Sequence, residues 1–298
     1  MSAAPAVAPG ATTLQGARYL AVSVVLFGGI WPVTKAALDH ASPLWFALNR
    51  AGMAAAVTAL LLAALGRLRL PARGDWPCVL AIGLLQLGGF FALTHVALAW
   101  IPAGRMAILS NVTVFWLIPL SVWVLGDRVS RAQWLAVAIG VLGVGVLMQP
   151  WEMAEAAALG LLPGYAMLLG ASLCWSLAIL ATRRWPPRRP VLELLPWCFG
   201  IGALMLLPLA LLRDPTGGIG AAGWPYAVFV GAIAAPLGTW ATIEAGRLLS
   251  GIVASVGFLV VPALGVLISN LWLGEALGLD VLLGGGLIAA SVVLAARG

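Results

Sequence analysis

One stretch of the chain, residues 76–98, reads WPCVLAIGLLQLGGFFALTHVAL and contains no Asp, Glu, Lys or Arg. An α-helix needs about 20 consecutive apolar residues to cross the hydrocarbon core of a bilayer, and this stretch is long enough to do so. Its most polar side chains are those of Gln86 and His95. The stretch therefore predicts a transmembrane helix.

The rest of the chain follows the same pattern. Of the 298 residues, 62% are hydrophobic and 9% are charged, whereas a soluble domain carries roughly 25% charged residues. Short segments with Gly, Pro and charged residues separate long apolar runs. We predict an all-α integral membrane protein with ten transmembrane helices, at residues 18–38, 43–65, 76–98, 103–124, 131–149, 163–183, 190–212, 225–247, 251–273 and 278–296.

The chain contains an internal repeat. A shift of 148 residues places Trp76-Pro77 on Trp224-Pro225 and Gly126-Asp127 on Gly274-Glu275. Each half holds five predicted spans, and because five is odd, the second half is expected to be inverted in the membrane relative to the first. Two inverted repeats with a solute site between them are an architecture of secondary transporters.

The repeat also divides the chain. We expect residues 1–17, rich in Ala, Pro and Gly, to form a disordered tail, since they lack the basic start and apolar centre of a signal peptide. The first repeat is predicted at 18–149 and the second at 163–298, joined by a linker at 150–162.

The distribution of charge predicts the orientation. If the N-terminus lies in the cytoplasm, twelve of the sixteen basic residues fall at cytoplasmic segments and three at outer ones. Cytoplasmic loops carry an excess of Lys and Arg. Both termini are therefore predicted to be cytoplasmic, which agrees with an even number of spans.

Several motifs match a known family. The first span ends with Trp31-Pro32-Val33-Thr34-Lys35, the fourth with Leu125-Gly126-Asp127, and the ninth with Leu273-Gly274-Glu275. Glycines are spaced through Gly140-Val-Leu-Gly-Val-Gly in span 5 and Gly284-Gly-Gly in span 10. The chain resembles the EamA-type branch of the drug/metabolite transporter superfamily and is most similar there to exporters of aromatic amino acids and paraquat.

This resemblance implies a multi-pass exporter of a bacterial inner membrane. It also implies a central cavity lined by spans 1, 3, 4, 6, 8 and 9, with spans 5 and 10 packed together as a support. The glycines and the scarcity of polar side chains in spans 5 and 10 favour such close packing.

Polar side chains are costly inside a membrane, so those within the spans are candidates for solute contacts. Ser and Thr can instead bond to their own backbone or join two helices, and His can be structural. Deep Trp side chains can be packed against neighbours or can form a flat wall for an aromatic or cationic solute. The cavity candidates are Trp31, Gln86, His95, Ser110, Asn111, Ser172, Trp175, Ser176, Thr239, Trp240 and Ser255.

Residues that interrupt helical hydrogen bonding form a second set. Freed backbone groups in spans 8 and 9 can bind a solute or act as hinges. The hinge candidates are Pro236, Gly238, Gly257 and Pro262. Arg50, about two turns into span 2, is expected to form a structural ion pair or to extend to the membrane interface rather than to bind the solute.

Other classes of protein are disfavoured. A Walker A motif needs Lys followed by Ser or Thr, and the one lysine, Lys35, is followed by Ala36. Two distant histidines and no acidic pair at depth argue against a membrane-embedded enzyme, which is kept as a distant alternative. A channel would need a pore ring repeated across subunits. The central thirds of the spans contain no carboxylate, which favours facilitated export over proton coupling.

The predicted solute is a neutral amino acid, aromatic ones included, or a related small metabolite, carried by alternating access. The alternative is a hydrophobic cation resembling paraquat, which aromatic walls suit. Phosphorylated solutes would require several cavity-facing Arg or Lys residues. We expect no cofactor, metal or nucleic acid, because the three cysteines are scattered and no basic run interleaves with aromatic residues. The protein is expected to act as a monomer.

Overall fold

The computed structural model describes residues 9–110, 112–148, 161–249, 253 and 257–297. Within these ranges the chain is helical apart from short connections, and one isolated β-bridge joins Ala41 and Ile219. The helices are α1 (Pro9–Ala37), α2 (Pro43–Ala64), α3 (Trp76–Leu98), α4a (Ala103–Leu109), α4b (Thr113–Leu125), α5 (Arg131–Met148), α6 (Leu162–Arg184), α7 (Val191–Arg213), α8 (Ala221–Leu248), α9 (Val260–Leu273) and α10 (Leu279–Arg297).

Eight of the described helices are long and apolar enough to cross a membrane: α1, α2, α3, α5, α6, α7, α8 and α10. This confirms the prediction of a multi-pass, all-helical membrane protein. The predicted span 103–124 is instead covered by α4a and α4b, and α9 is a shorter apolar helix. Most of residues 250–256, where the ninth span was predicted to begin, lie outside the described residues.

The first helix begins earlier than expected. We placed residues 1–17 in a disordered tail, but residues 9–17 extend α1. The segment from Gly10 to Gly16 carries no charge and includes Ala, Leu and Gln, which favour a helix. Pro9 is compatible with this, because proline is tolerated in the first turn of a helix. The predicted linker at 150–162 falls almost entirely outside the described residues.

Two helices contain a π-helical segment at matching places. In α3 it spans Ala81–Gly89, and in α8 it spans Val228–Ala234. A shift of 148 residues brings the two segments into overlap. In α8 the segment is followed by Pro236, which has no backbone N–H to donate within the helix. π-helical segments inside α-helices are frequent at functional sites.

The ends of α4b and α9 are built alike. Gly126 (φ 72°) and Gly274 (φ 69°) both adopt the left-handed conformation, which favours glycine because it has no Cβ. The N–H groups of Gly126 and Asp127 donate to the carbonyls of Val122 and Ser121. The N–H groups of Gly274 and Glu275 donate in the same way to the carbonyls of Asn270 and Ser269. The Gly-acid pairs of the sequence repeat thus form the same local structure.

Helices α5 and α10 pack against each other, as the resemblance implied. Other contacts join α2 to α7, α7 to α3, α4a to α9, α1 to both α8 and α9, and α6 to both α3 and α4b. Gly143 and Gly284 allow the close approach of α5 and α10, since a Cβ on Gly143 would lie 2.9 Å from the Gly284 carbonyl oxygen.

Loops are tied together at both ends of the bundle. We call the end with Lys35 and loops 38–42, 99–102 and 214–220 the Lys35 end, and the end with loops 65–75 and 185–190 the Arg67 end. At the Lys35 end, the Trp45 indole of α2 donates to the carbonyl of Asp214 (2.8 Å), just after α7. At the Arg67 end, the Trp197 indole of α7 donates to the carbonyl of Arg69 (3.0 Å), after α2.

Candidate functional site

A cavity of about 420 Å³ lies inside the bundle. This volume is within the range of about 300–1,000 Å³ typical of sites for small molecules. Side chains of α1, α2, α3, α6, α7, α8 and α9 line it, together with Ser110 and Thr113 of the fourth span and Phe258. Among the described lining residues there is no Asp or Glu.

Aromatic rings form much of the wall. The ring of Phe90 lies 4.8 Å from that of Trp175 and 6.3 Å from that of Trp31, with both pairs edge to face. Phe27 and Phe258 approach each other at 6.5 Å between ring centroids. Edge-to-face pairs hold rings in fixed orientations. The cavity can therefore offer flat apolar surfaces to a solute.

Hydroxyl groups contribute to the polar part of the lining. Ser110 donates to the carbonyl of Ala107 (3.1 Å), and Thr239 donates to that of Ala235 (2.6 Å). Their hydroxyl hydrogens are thus engaged in the helix, and their oxygens remain as acceptors on the cavity side. The Gln86 amide, in the π-helical segment of α3, adds a donor and an acceptor to the lining.

The charged group in the lining is Arg50 of α2. Its side chain is 7% exposed, and its guanidinium carbon lies 4.0 Å from the ring centroid of Phe91. Arg50 Nε has no hydrogen-bond partner, and no described carboxylate forms an ion pair with this side chain. The sequence-based expectation for Arg50 is therefore wrong on both counts, because the side chain is neither ion-paired within the described residues nor extended to the surface.

The structure brings five of the predicted residues to the cavity. They lie on α1, α3, α6 and α8 and just after α4a, which are among the helices that the resemblance placed around it. They are Trp31, Gln86, Ser110, Trp175 and Thr239.

Four predicted residues lie elsewhere. His95 is 1% exposed; its Nδ1 donates to the Phe91 carbonyl (2.7 Å), and its ring packs on Phe46. Ser172 accepts from the Trp116 indole (2.9 Å), and Ser176 donates to the carbonyl of Thr113 (3.0 Å), so both join α6 to α4b. Trp240 is 37% exposed and contacts the ring of Tyr19. Asn111 and Ser255 lie outside the described residues.

The hinge candidates are placed around the helices of the cavity. Pro236 lies two residues after the π-helical segment of α8, and a Cβ on Gly238 would lie 3.0 Å from the ring of Phe27. Gly257 faces Leu20 of α1, while Pro262 lies in a groove between α9 and α10.

Two helices contribute to the lining that the sequence did not indicate. From α7, Val191, Leu195 and Phe199 face the cavity, and from α2, Arg50 does so. The residues of α7 are apolar and resemble lipid-facing ones, so no sequence signal distinguishes them. Arg50 did carry a signal, since a charge within a span is a functional candidate by default.

Polar contacts join helices at the Lys35 end. Lys35 Nζ donates to the carbonyl of Leu98 (2.6 Å), which joins α1 to α3. Glu275, after α9, accepts from the N–H groups of Ala103 (2.6 Å) and Gly104 (2.8 Å) at the beginning of α4a. Toward the Arg67 end, by contrast, the lining extends to Val191, the first residue of α7.

A metal site is not indicated by these side chains. The described residues contain no group of three or more His, Cys, Asp or Glu placed to hold an ion. The arrangement fits the reversible binding of a small organic solute.

Several known proteins with similar sequences carry the names of transporters. The chain is 28% identical to "Uncharacterized transporter YvbV" of Bacillus subtilis, covering 93% of this chain and 90% of that protein. It is 24% identical to "Probable terminal-alkyne amino-acid exporter" of Streptantibioticus cattleyicolor, covering 93% and 92%. It is 27% identical to "Probable amino-acid metabolite efflux pump" of Salmonella typhimurium, covering 66% and 64%.

The fold and the family are also matched. A protein of known crystal structure superimposes with a TM-score of 0.64 at 19% identity, covering 96% of this chain and 97% of that one. The family model for the EamA-like transporter family matches twice, at residues 14–149 and 162–297. Because these two copies cover most of the sequence, the chain belongs to the EamA-like transporter family.

Proposed function

We propose that this protein exports neutral amino acids, aromatic ones included, from the cytoplasm by alternating access. The observation that carries the proposal is the cavity between the two family repeats, which combines aromatic walls, hydroxyl acceptors and one buried arginine. Membership of the family indicates a transporter and not an enzyme.

The proposed architecture is ten transmembrane helices in two inverted repeats of five. The matching π-helical segments of α3 and α8, and the matching glycine ends of α4b and α9, support the repeat. The Trp45 and Trp197 contacts support the inversion, because equivalent interactions occur at opposite ends of the bundle. In this architecture α4a and α4b together form the fourth span.

The proposed location is a bacterial inner membrane, with both termini in the cytoplasm. The Arg67 end then faces the cytoplasm, as the excess of basic residues in its loops favours. The proposed carrier acts as a monomer. Reporter fusions at the two chain ends test this topology; reporters on opposite sides of the membrane would contradict it.

An amino acid fits the cavity better than a hydrophobic cation does. The rings of Phe90 and Trp175 suit an aromatic side chain, and the hydroxyl oxygens of Ser110 and Thr239 suit an ammonium group. Two of the relatives carry names that refer to amino-acid export. A paraquat-like dication would gain from the same rings, but it would be repelled by Arg50, and the described lining offers no carboxylate to offset this charge.

Facilitated export is proposed, since no carboxylate among the described lining residues is placed to carry a proton with the solute. A proton flux that accompanies the solute in sealed vesicles would contradict this part of the proposal.

The experiment measures transport in proteoliposomes into whose membrane the purified full chain has been reconstituted. Labelled phenylalanine, tryptophan, leucine, glutamate and methyl viologen are compared, with protein-free liposomes as the control. We expect the flux of the labelled neutral amino acids to saturate and to fall when unlabelled amino acid is added as a competitor. Flux of methyl viologen without flux of any amino acid would overturn the proposal in favour of the cation exporter.

A further inference from the structure

We propose that the Arg50 guanidinium binds the carboxylate of the transported solute and thereby selects for solutes with a free carboxylate. This inference rests on the proposed function and names the chemical group that the cavity recognises. It assigns Arg50 a role in specificity.

The first argument is that the positive charge of Arg50 is not compensated within the described protein. The side chain is 93% buried, and its Nε atom has no hydrogen-bond partner. A guanidinium is always charged and has five N–H donors. Burying such a group without a counter-charge is costly, and most buried charges are therefore paired.

The second argument is that the contact with Phe91 does not account for the burial. A cation–π contact at 4.0 Å is favourable, but it is weaker than the ion pair that a buried charge normally has. An aromatic ring offers no oxygen acceptor, so this contact does not supply the guanidinium N–H groups with hydrogen-bond acceptors. The ring therefore does not replace the carboxylate that a buried guanidinium normally has.

The third argument is the position of Arg50 in the cavity. A guanidinium matches the two oxygens of a carboxylate with two parallel hydrogen bonds. The hydroxyl oxygens of Ser110 and Thr239, which line the same cavity, have their hydrogens engaged in backbone bonds and can accept from an ammonium group. An α-amino acid carries both charges, and so its carboxylate is the complement that Arg50 lacks.

This role makes a distinctive prediction for the empty protein. If Arg50 were a structural residue, replacing it would lower stability. If its role is to bind a solute, replacing it should not lower stability. Arg50→Met removes an uncompensated charge and keeps an unbranched side chain, which is now apolar. Buried charged residues that serve to bind a ligand often destabilise the protein while the ligand is absent.

The experiment measures the thermal unfolding of the purified full chain with four related probes. L-Phenylalanine and 3-phenylpropionate have a carboxylate, whereas L-phenylalaninamide and 2-phenylethylamine do not. We expect the two acids to raise the unfolding temperature of the wild type and the two amines to leave it unchanged. Equal effects of phenylalanine and its amide would overturn the inference, and so would no effect of either acid.

Three variants identify the group responsible. Arg50→Met is expected to unfold at or above the wild-type temperature without ligand and to bind phenylalanine about 10- to 100-fold more weakly. Arg50→Lys keeps the charge but loses the paired donors, and an intermediate affinity is expected. The control is Arg67→Gln, which removes an arginine from an exposed ion pair with Glu193 at the Arg67 end, and its affinity should equal that of the wild type. Wild-type affinity in both Arg50 variants would overturn the inference.

The two levels of the argument fail separately. If Arg50→Met transports phenylalanine with an unchanged KM, the role of Arg50 is wrong and amino-acid export stands. If 3-phenylpropionate binds in an Arg50-dependent way but no amino acid is transported, Arg50 binds carboxylates and the proposed substrate is wrong. If Arg50→Met does not fold, Arg50→Lys and the comparison of acid with amide on the wild type still decide.

Discussion

Asp75 is a buried carboxylate that ties two loops at the Arg67 end. It lies immediately before α3, and its oxygens accept from the backbone N–H groups of Arg188 (2.7 Å) and Ala72 (3.0 Å). Burial by itself would raise the pKa of Asp75. The backbone donors and the nearby charge of Arg189 outweigh this and lower the pKa below its usual value. The ionised carboxylate therefore stabilises the folded state.

The lowered pKa of Asp75 predicts a pH-dependent stability. Its contribution is fully present above the unfolded-state pKa, about 3.9, and is lost as the pH falls through the lower folded-state value. We expect Asp75→Asn to lower the free energy of unfolding at pH 7 by about 1–3 kcal/mol relative to the wild type, and so to lower the unfolding temperature. Below about pH 4 the difference should shrink.

Thermal unfolding from pH 3 to 7 measures this difference. Asp39→Asn, at an exposed position in loop 38–42, is the control and should follow the wild type at every pH. A difference between Asp75→Asn and the wild type that stays constant down to pH 3 would contradict the role of the ionised carboxylate.

Trp175 and Gln86 test the assignment of the cavity. Trp175 supplies a large part of the aromatic wall beside Phe90, and Gln86 supplies an amide. We expect Trp175→Ala and Gln86→Ala to reduce export, with KM for phenylalanine raised about tenfold for the tryptophan, while both proteins stay inserted and folded. Trp123→Ala is the matched control, because Trp123 of α4b is 84% exposed on the bundle surface. Normal transport by both cavity variants would dismiss the assignment.

The sequence shows which residues of a span are polar, but it does not show which face of the helix lines the cavity and which face packs on other helices or lipid. Gln86 and His95 are nine residues apart, and at about 100° per residue they point to opposite sides of an ideal helix. At most one of the two side chains could therefore face the cavity. The structure places Gln86 there and buries His95 against Phe46 and Phe91. Lipid-facing and protein-facing positions are both apolar in a membrane, so periodicity gives no help in choosing between them.

At the scale of the helices, the α5–α10 pair depends on glycines at specific positions. A Cβ on Gly284 would lie 2.6 Å from Leu147 Cγ and 2.9 Å from the Gly143 carbonyl oxygen. A Cβ on Gly286, two residues along α10, would meet no atom within 4 Å. Close helix packing in membranes uses small residues in this way.

These two glycines give a matched pair of variants. Gly284→Ala is expected to destabilise the protein by about 1–3 kcal/mol, because the backbone of α5 cannot yield to the new methyl group. Gly286→Ala should be neutral or slightly stabilising, since Ala favours a helix more than Gly does. Unfolding temperatures in detergent measure both, and equal temperatures for the two variants would contradict the packing described.

The sequence predicted which helices pair and where some of them end, but not the local geometry within a helix. The family resemblance implied the pairing of spans 5 and 10, which their glycines favoured, and the Gly-acid motifs predicted the ends of α4b and α9. The division of the fourth span into α4a and α4b, and the π-helical segments of α3 and α8, carried no decisive signal. These depend on how backbone groups are satisfied by neighbouring helices, which a single sequence does not record.

On the scale of the whole molecule, the two ends of the bundle differ. At the Lys35 end, Lys35 joins α1 to α3 and Glu275 joins the end of α9 to α4a. Arg105 of α4a adds an ion pair with Asp280 of α10 (2.7 Å). The cavity lining instead reaches the first residue of α7 at the Arg67 end. We propose that, in an alternating-access cycle, this arrangement belongs to a state open toward the Arg67 end.

Thiol accessibility tests this asymmetry and the membrane orientation together. In a background with Cys78, Cys174 and Cys198 replaced by Ala, Val191→Cys is expected to react readily with a thiol reagent, because Val191 lies at the mouth of the cavity. Ile101→Cys should react slowly, since Ile101 is fully buried at the Lys35 end. Saturating phenylalanine should slow the reaction at position 191, because the solute occupies the path.

A membrane-impermeant thiol reagent shows which side of the membrane the Arg67 end faces. If the Arg67 end faces the cytoplasm, position 191 is modified in inside-out vesicles and protected in right-side-out ones, and both variants must retain transport for the comparison to count. Modification of position 191 only in right-side-out vesicles would reverse the proposed topology. Faster modification at position 101 than at 191 would mean that the populated state opens at the Lys35 end, in which case the Lys35 and Glu275 contacts could not be the closure that separates the solute from that side.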